Sequence, residues 1–143
     1  MKGQCLCGGV KFEISGEVPD LYQCHCSECR KVTGSSANAA AFVHLESFRW
    51  ISGEELISSF KKDSGYRSDF CSVCGSPVPN PLGDTNKMWV PAGLLEEAEP
   101  ISVAVHIYMN SSAEWERTAA CARQFDESPG LEALNKALQR RNR

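Results

Sequence analysis

Short runs of alternating apolar and polar residues, each broken by glycine, serine, proline or charge, set the character of this chain. Val10-Lys11-Phe12-Glu13-Ile14 alternates strictly and Ser15-Gly16 closes it, which is the period-two signature of a half-buried strand. Ala39 to Val43, Phe48 to Ile51, Leu56 to Phe60 and Tyr66 to Phe70 read the same way, separated by serines, glycines and charges as in a meander. Met88-Trp89-Val90 and Ile101 to Tyr108 are further strand candidates. In the latter, Ile101, Val103, Val105 and Ile107 fall on one face and Ser102, Ala104, His106 and Tyr108 on the other. Pro77, Pro79 and Pro81 make the intervening stretch a loop or a sheet edge.

The pattern changes near the end. Ser128-Pro129 reads as a helix start, with Ser as N-cap and Pro at the first helical position. Leu131, Leu134 and Leu138 then share one helical face, and Glu132 and Lys136 form an i,i+4 pair. Arg140, Arg141 and Arg143 sit where the helix dipole is negative, and a solvated helix end explains them better than a binding patch. The expectation is a mainly β fold, one domain over 1–143, with a short C-terminal helix over about 128–141.

With 143 residues, 42% of them apolar and 23% charged, the chain has enough for one core and a polar surface. A net charge of −3 of mixed sign gives no electrostatic case for nucleic acid or an anionic membrane. No stretch approaches the roughly 18 apolar residues of a membrane span, and the N-terminus MKGQCLCGGV carries no signal-peptide run. These features point to the cytoplasm, where thiols stay reduced.

The eight cysteines are therefore read as thiols. Their spacings are Cys5-x-Cys7, Cys24-x-Cys26-x-x-Cys29 and Cys71-x-x-Cys74, with Cys121 alone. Close pairs suit a metal, because one short loop aims two sulfurs at one point, and thiolates select zinc. Structural zinc takes four ligands. Cys5, Cys7, Cys71 and Cys74 supply four and close a structural site. Cys24, Cys26 and Cys29 remain, and three protein ligands with an open position is the pattern of a catalytic zinc. In extended backbone Cys24 and Cys26 point the same way and His25 points away, which gives His25 a packing role behind the ligands. Two other partitions stay open on spacing alone. Cys26/Cys29 with Cys71/Cys74 would make a ribbon-like site, and closure of the second site by Cys121 would leave both zincs structural.

The segments together resemble the glutathione-dependent formaldehyde-activating enzyme (GFA) family, which includes the centromere protein V group. The residues that carry the resemblance are Gly3-x-Cys5-x-Cys7-Gly8-x-Val10-x-Phe12, then Cys24-His25-Cys26-Ser27-x-Cys29-Arg30-Lys31-x-x-Gly34, then Phe70-Cys71-x-x-Cys74-Gly75-Ser76. Weaker echoes run on to Trp115, so the likeness spans about 3–115. It implies an Mss4-like antiparallel β-fold with zinc knuckles. It also implies the partition above, with Cys5, Cys7, Cys71 and Cys74 on a structural zinc and Cys24, Cys26 and Cys29 on a catalytic one. The implied reaction joins formaldehyde to glutathione as S-hydroxymethylglutathione, or reverses this as a carbon–sulfur lyase.

On that reading a small thiol or aldehyde, with glutathione as one candidate, takes the fourth position on the second zinc. Arg30 and Lys31 follow the last ligand and could hold a substrate carboxylate, and His106 could carry a proton. Pocket walls are expected from the loops around 35–48 and 77–92. The competing expectation is a non-enzymatic zinc module that binds a small thiol or scaffolds a protein partner. Structural zinc in small peptides is worth roughly 10–16 kcal/mol, against about 5–15 kcal/mol of net stability for a domain. A chelator that strips the tighter site should therefore unfold the protein, and a verified metal-free form with native circular dichroism would contradict this.

Overall fold

The computed structural model describes residues 1–96 and 100–139. Its contacts divide into two compact units, 1–113 and 114–143. The first unit carries β1 (Lys2–Gln4), β2 (Lys11–Ile14), β3 (Leu21–Cys24), α1 (Ser27–Thr33), β4 (Asn38–His44), β5 (Phe48–Ser52), β6 (Ile57–Lys61), β7 (Arg67–Cys71), β8 (Pro77–Val78), β9 (Asn80–Pro81), β10 (Lys87–Pro91) and β11 (Val103–Ile107). They form three sheets with strand orders β1-β2-β5, β11-β3-β4-β10-β9 and β6-β7-β8.

The alternating runs are strands as expected. β2 pairs antiparallel with β1 and β5, β3 with β4, β4 with β10, and β6 with β7. The proline-rich stretch supplies β8 and β9, each the last strand of its sheet, where a missing N–H costs no ladder bond.

Strand alternation gives the five-stranded sheet two different faces. Ala41, Val43, Met88 and Val90 point into the main core with Phe12, Ile14 and Val18. Phe12 stacks on Phe48 at 5.5 Å between ring centroids and meets Trp50 edge-on at 6.2 Å. On the other face the register aligns Cys24 with Asn38, Tyr22 with Ala40, and Trp89 with both Phe42 and Asn80. That face holds the site.

Three local expectations are corrected. β11 pairs parallel to β3 at the sheet edge, and its register shifts between Val103 and Val105. A bulge breaks strict alternation, so Val103 and Val105 are 41% and 50% exposed instead of forming an apolar inner face. Residues 27–33 are a helix where the sequence reading has only a cysteine loop. Its signals are at the ends: Glu28 in the first turn, Arg30 and Lys31 in the last, and Gly34 at φ 62° as the left-handed cap. In the second unit, a 3₁₀ segment spans Glu114–Cys121, and α2 runs Leu131–Leu138. α2 does not start at Ser128. Gly130 has φ 84° and ψ 158°, which is not helical, so the helix begins after it and the Ser128 hydroxyl accepts only the Gly130 N–H, at 3.4 Å. Leu131, Leu134 and Leu138 are all exposed on α2. The arginines of the tail lie outside the described residues.

Gly3 shows how tightly β1 sits on the core. It lies opposite Phe12 in the β1–β2 ladder, and a Cβ built on it would fall 2.2 Å from Phe12 Cζ. Phe12 is fully buried, so its ring has nowhere to retreat. Gly3→Ala should cost about 1–3 kcal/mol, the range for overpacking. Denaturant unfolding at fixed zinc checks this, and an unchanged midpoint would refute the packing argument.

Candidate metal centres and the adjoining cavity

All eight cysteines are free thiols. Seven form two groups whose sulfurs lie within 4.8 Å of one another: Cys5, Cys7, Cys71 and Cys74, and Cys24, Cys26 and Cys29. Cys121 is exposed, in the second unit.

Two knuckles build the first group. After β1, Gly8 at φ 73° turns the chain so that its N–H reaches the Cys5 carbonyl at 2.9 Å, and the Val10 N–H points at Cys5 Sγ at 3.3 Å. After β7, Gly75 at φ 76° makes the matching turn, with its N–H on the Cys71 carbonyl at 2.8 Å. Ser76 joins the two. Its hydroxyl accepts the Leu6 N–H at 3.0 Å and lies 3.4 Å from Cys74 Sγ. The sulfurs of Cys5 and Cys7 are 3.5 Å apart, and those of Cys7 and Cys71 are 3.9 Å apart. Zinc–sulfur bonds of about 2.3 Å in a tetrahedron call for about 3.8 Å between sulfurs. The donor set therefore fits zinc. Cys5 and Cys71 also belong to a second core with Val10 and Val78, so the cluster is part of the packing.

The second group is mounted on the end of β3 and the start of α1. Cys26 is the N-cap of α1: its backbone is extended and its sulfur accepts the Cys29 N–H at 3.4 Å. Amides that would otherwise be orphaned at a helix start therefore face the sulfur. Thr33 Oγ1 donates to the Cys29 carbonyl at 2.8 Å and closes the last turn.

Ionisation within each group is divided, as mutually repelling thiolates require. Burial raises the Cys24 and Cys29 thiols, and in Cys29 the neighbouring sulfurs raise it further. Burial also acts on Cys26, but the Cys29 N–H and the Cys24 thiol outweigh it and lower the pKa. In the knuckles, burial of Cys5 is outweighed by the Val10 N–H and its sulfur neighbours. The Gly9 N–H favours the Cys7 thiolate, yet Cys5 and desolvation push Cys7 up to about 11. The Ser76 hydroxyl, donating to the Cys74 thiolate, brings that thiol down to about 5. A dication relieves the repulsion and lets every sulfur ionise.

A cavity of about 210 Å³ opens against the second group. Cys29 and Val32 line it from α1, an i,i+3 pair on one helical face. Tyr22, Asn38, Asn80 and Trp89 come from the sheet, and Tyr66 and Arg67 from the β6–β7 hairpin. Trp89 Nε1 donates to the Tyr22 hydroxyl at 2.8 Å. Tyr22 and Tyr66 are each pushed up to about 12, first by burial, so both stay protonated O–H donors at neutral pH. Arg67 donates through Nε and Nη2 to Asp69, at 2.8 and 2.6 Å. The expected walls 35–48 and 77–92 contribute Asn38 and the 80–89 stretch. The hairpin tip and Tyr22 were not anticipated, although Tyr22 shares the parity of Cys24 and could have been read from it.

The other candidates sit elsewhere. Arg30 and Lys31 follow Cys29 around the helix and do not line the cavity. His106 pairs in register with Gln23, on the sheet face away from Tyr22 and Cys24. Its Nδ1 is 3.0 Å from Nε2 of His25, which is 1% exposed. His25 is thus buried, with its ring against His106.

Three sheets carrying two thiol clusters define a mainly β protein able to hold two metal ions. The sequence matches the glutathione-dependent formaldehyde-activating enzyme family over residues 1–111, and the chain belongs to that family. It is also similar in structure to a Rhodobacter sphaeroides protein solved by crystallography, at 27% identity and a TM-score of 0.57. That match covers 70% of this chain and 92% of the other. No curated protein sequence matches the chain.

The Ser76 contact gives a pH prediction. A lowered thiol pKa favours the native cluster above the unfolded value and is lost as pH falls through the folded one. Protons compete with zinc for Cys74, and the lower its thiol pKa lies the lower the pH at which they do so. Ser76→Ala should raise that pKa and move acid release of the first zinc to higher pH. Release followed with a zinc-binding dye checks this, and superimposable curves would refute it.

Proposed function

We propose that this chain is a zinc-dependent carbon–sulfur lyase-type enzyme acting on the adduct of a small thiol and an aldehyde, with S-hydroxymethylglutathione as a candidate substrate. The observation that supports it is the difference between the clusters. One has four sulfurs tied into a core. The other has three, with a cavity against Cys29.

Zinc on Cys24, Cys26 and Cys29 would stabilise a substrate thiolate, for which a free thiol of pKa about 8.5 is poorly prepared at neutral pH. In the lyase direction the hydroxymethyl O–H loses its proton, the C=O forms, and the C–S bond breaks. The sulfur leaves with the electron pair and takes up a proton to give aldehyde and thiol. The chain's own residues would orient this step. The Tyr22 hydroxyl already accepts from Trp89, so its hydrogen is directed by that bond and can be donated to a substrate oxygen. Val32, Tyr66 and Trp89 give the cavity apolar and aromatic surface, and restricted water strengthens polar contacts there. Arg30, Lys31 and His106 are assigned no contact with substrate. Free thiols throughout suit a reducing compartment such as the cytoplasm.

Cys26→Ala, compared with wild type, tests the reading. The variant should stay folded, lose one zinc of two, and form S-hydroxymethyl adduct no faster than the uncatalysed background. A variant that keeps its full rate above background refutes the catalytic assignment. Wild type with two zincs but no rate above background supports the non-enzymatic module instead.

A further inference from the structure

The cavity wall contains a buried polar group with no partner among the described residues. Asn80 is 5% exposed, and its Nδ2 is buried with no hydrogen-bond partner among them. Such a donor costs about 1–3 kcal/mol when left unpaired. Its neighbours in the wall include the largely apolar Pro81, Leu82 and Trp89. Asn80 sits opposite Trp89 in the β9–β10 ladder, on the same sheet face as Tyr22 and Cys24. Arg67 lines the same cavity and spends its Nε–H and one Nη2 N–H on Asp69, which is 3% exposed. A guanidinium has five N–H groups, so donors remain.

Size adds a second constraint. A cavity of about 210 Å³ is smaller than the roughly 300–1,000 Å³ of sites that enclose drug-sized ligands. It has room for a thiol on a short chain, and a tripeptide would extend out of it.

We infer that the substrate thiol is a short mercapto-carboxylate, with its sulfur toward Cys29 and its carboxylate held by the Asn80 carboxamide and Arg67. The terminal torsion of an Asn side chain is soft, so its N–H can swing to meet the acceptor. Asn80 is a specificity residue here, and this inference rests on the open-zinc reading above. The shared chemistry, a thiol with an acceptor a few bonds away, also exists in glutathione, whose arms would have to lie outside the cavity.

The test is calorimetric titration of the zinc-loaded full chain with 3-mercaptopropionate, 1-propanethiol and glutathione. In wild type, 3-mercaptopropionate should bind about tenfold tighter than 1-propanethiol, as expected for a hydrogen bond to a charged group. Glutathione should be the weaker of the two carboxylate-bearing thiols. Asn80→Leu should close most of that tenfold gap, chiefly through weaker binding of 3-mercaptopropionate. If that variant does not fold, Asn80→Asp preserves the shape and sets a carboxylate against the ligand's, which should weaken 3-mercaptopropionate alone. Equal binding of the two short thiols, or a gap unchanged in the folded variant, overturns the inference while leaving the open zinc intact. Tighter binding of glutathione overturns the size limit and assigns the cavity to its cysteinyl end. Failure of every thiol to bind removes the open-zinc reading and this inference together.

Discussion

Repulsion among clustered thiolates is the constraint on which the rest of this molecule depends. Seven sulfurs are gathered in two groups within 4.8 Å, where they cannot all ionise without a cation. The fold accepts that cost at two places and treats them differently. At the knuckles, Cys5 and Cys71 are buried in a small core with Val10 and Val78. A cation held there would neutralise them and also tie the β1–β2 turn to the β7–β8 turn. The strands are short, two to seven residues, and a metal cross-link at these turns would add to what their packing supplies.

At the second group the same chemistry is placed on a helix start instead of in a core. Cys26 caps α1 and accepts the Cys29 N–H, so the helix orients the sulfurs and its amides favour their charge. The His25–His106 contact backs the cluster from one side, and the cavity adjoins it through Cys29. The sheet makes this arrangement possible. Alternation sends Met88 and Val90 to the core, and Trp89 to the cavity. One face of the strands thus carries stability and the other carries the site, and a shift of one residue in register would exchange them.

The two aromatic hydroxyls fit this division. Tyr22 and Tyr66 are raised first by burial, and in Tyr22 the Trp89 hydrogen bond opposes part of that rise. They remain neutral donors beside an anionic cluster. Arg67, paired with Asp69, brings positive charge to the same wall without adding an unpaired buried ion. The cavity is consequently apolar in body and polar at a few fixed points, as sites for small molecules are.

The sequence by itself pointed to thiolate metal chemistry, to the division of the cysteines through its family resemblance, and to the mainly β character, and the structure gathers the sulfurs in those same two groups. Cysteine spacing reports which sulfurs one short turn can aim together, and period-two alternation reports which strands have one buried face; both are local. The helix at 27–33 was half legible, since Glu28, Arg30, Lys31 and Gly34 mark its ends, but seven residues give too little apolar periodicity to show it. Only the tertiary structure decided that Tyr22, Tyr66, Arg67, Asn80 and Trp89 line the cavity, while Arg30, Lys31 and His106 are not among its lining residues. Those five residues come from four strands and a hairpin tip, and what joins them is strand register and the folding of the β6–β7 hairpin toward α1. Lys62 of that hairpin reaches Glu28 of α1 at 2.5 Å. No window along the chain contains both.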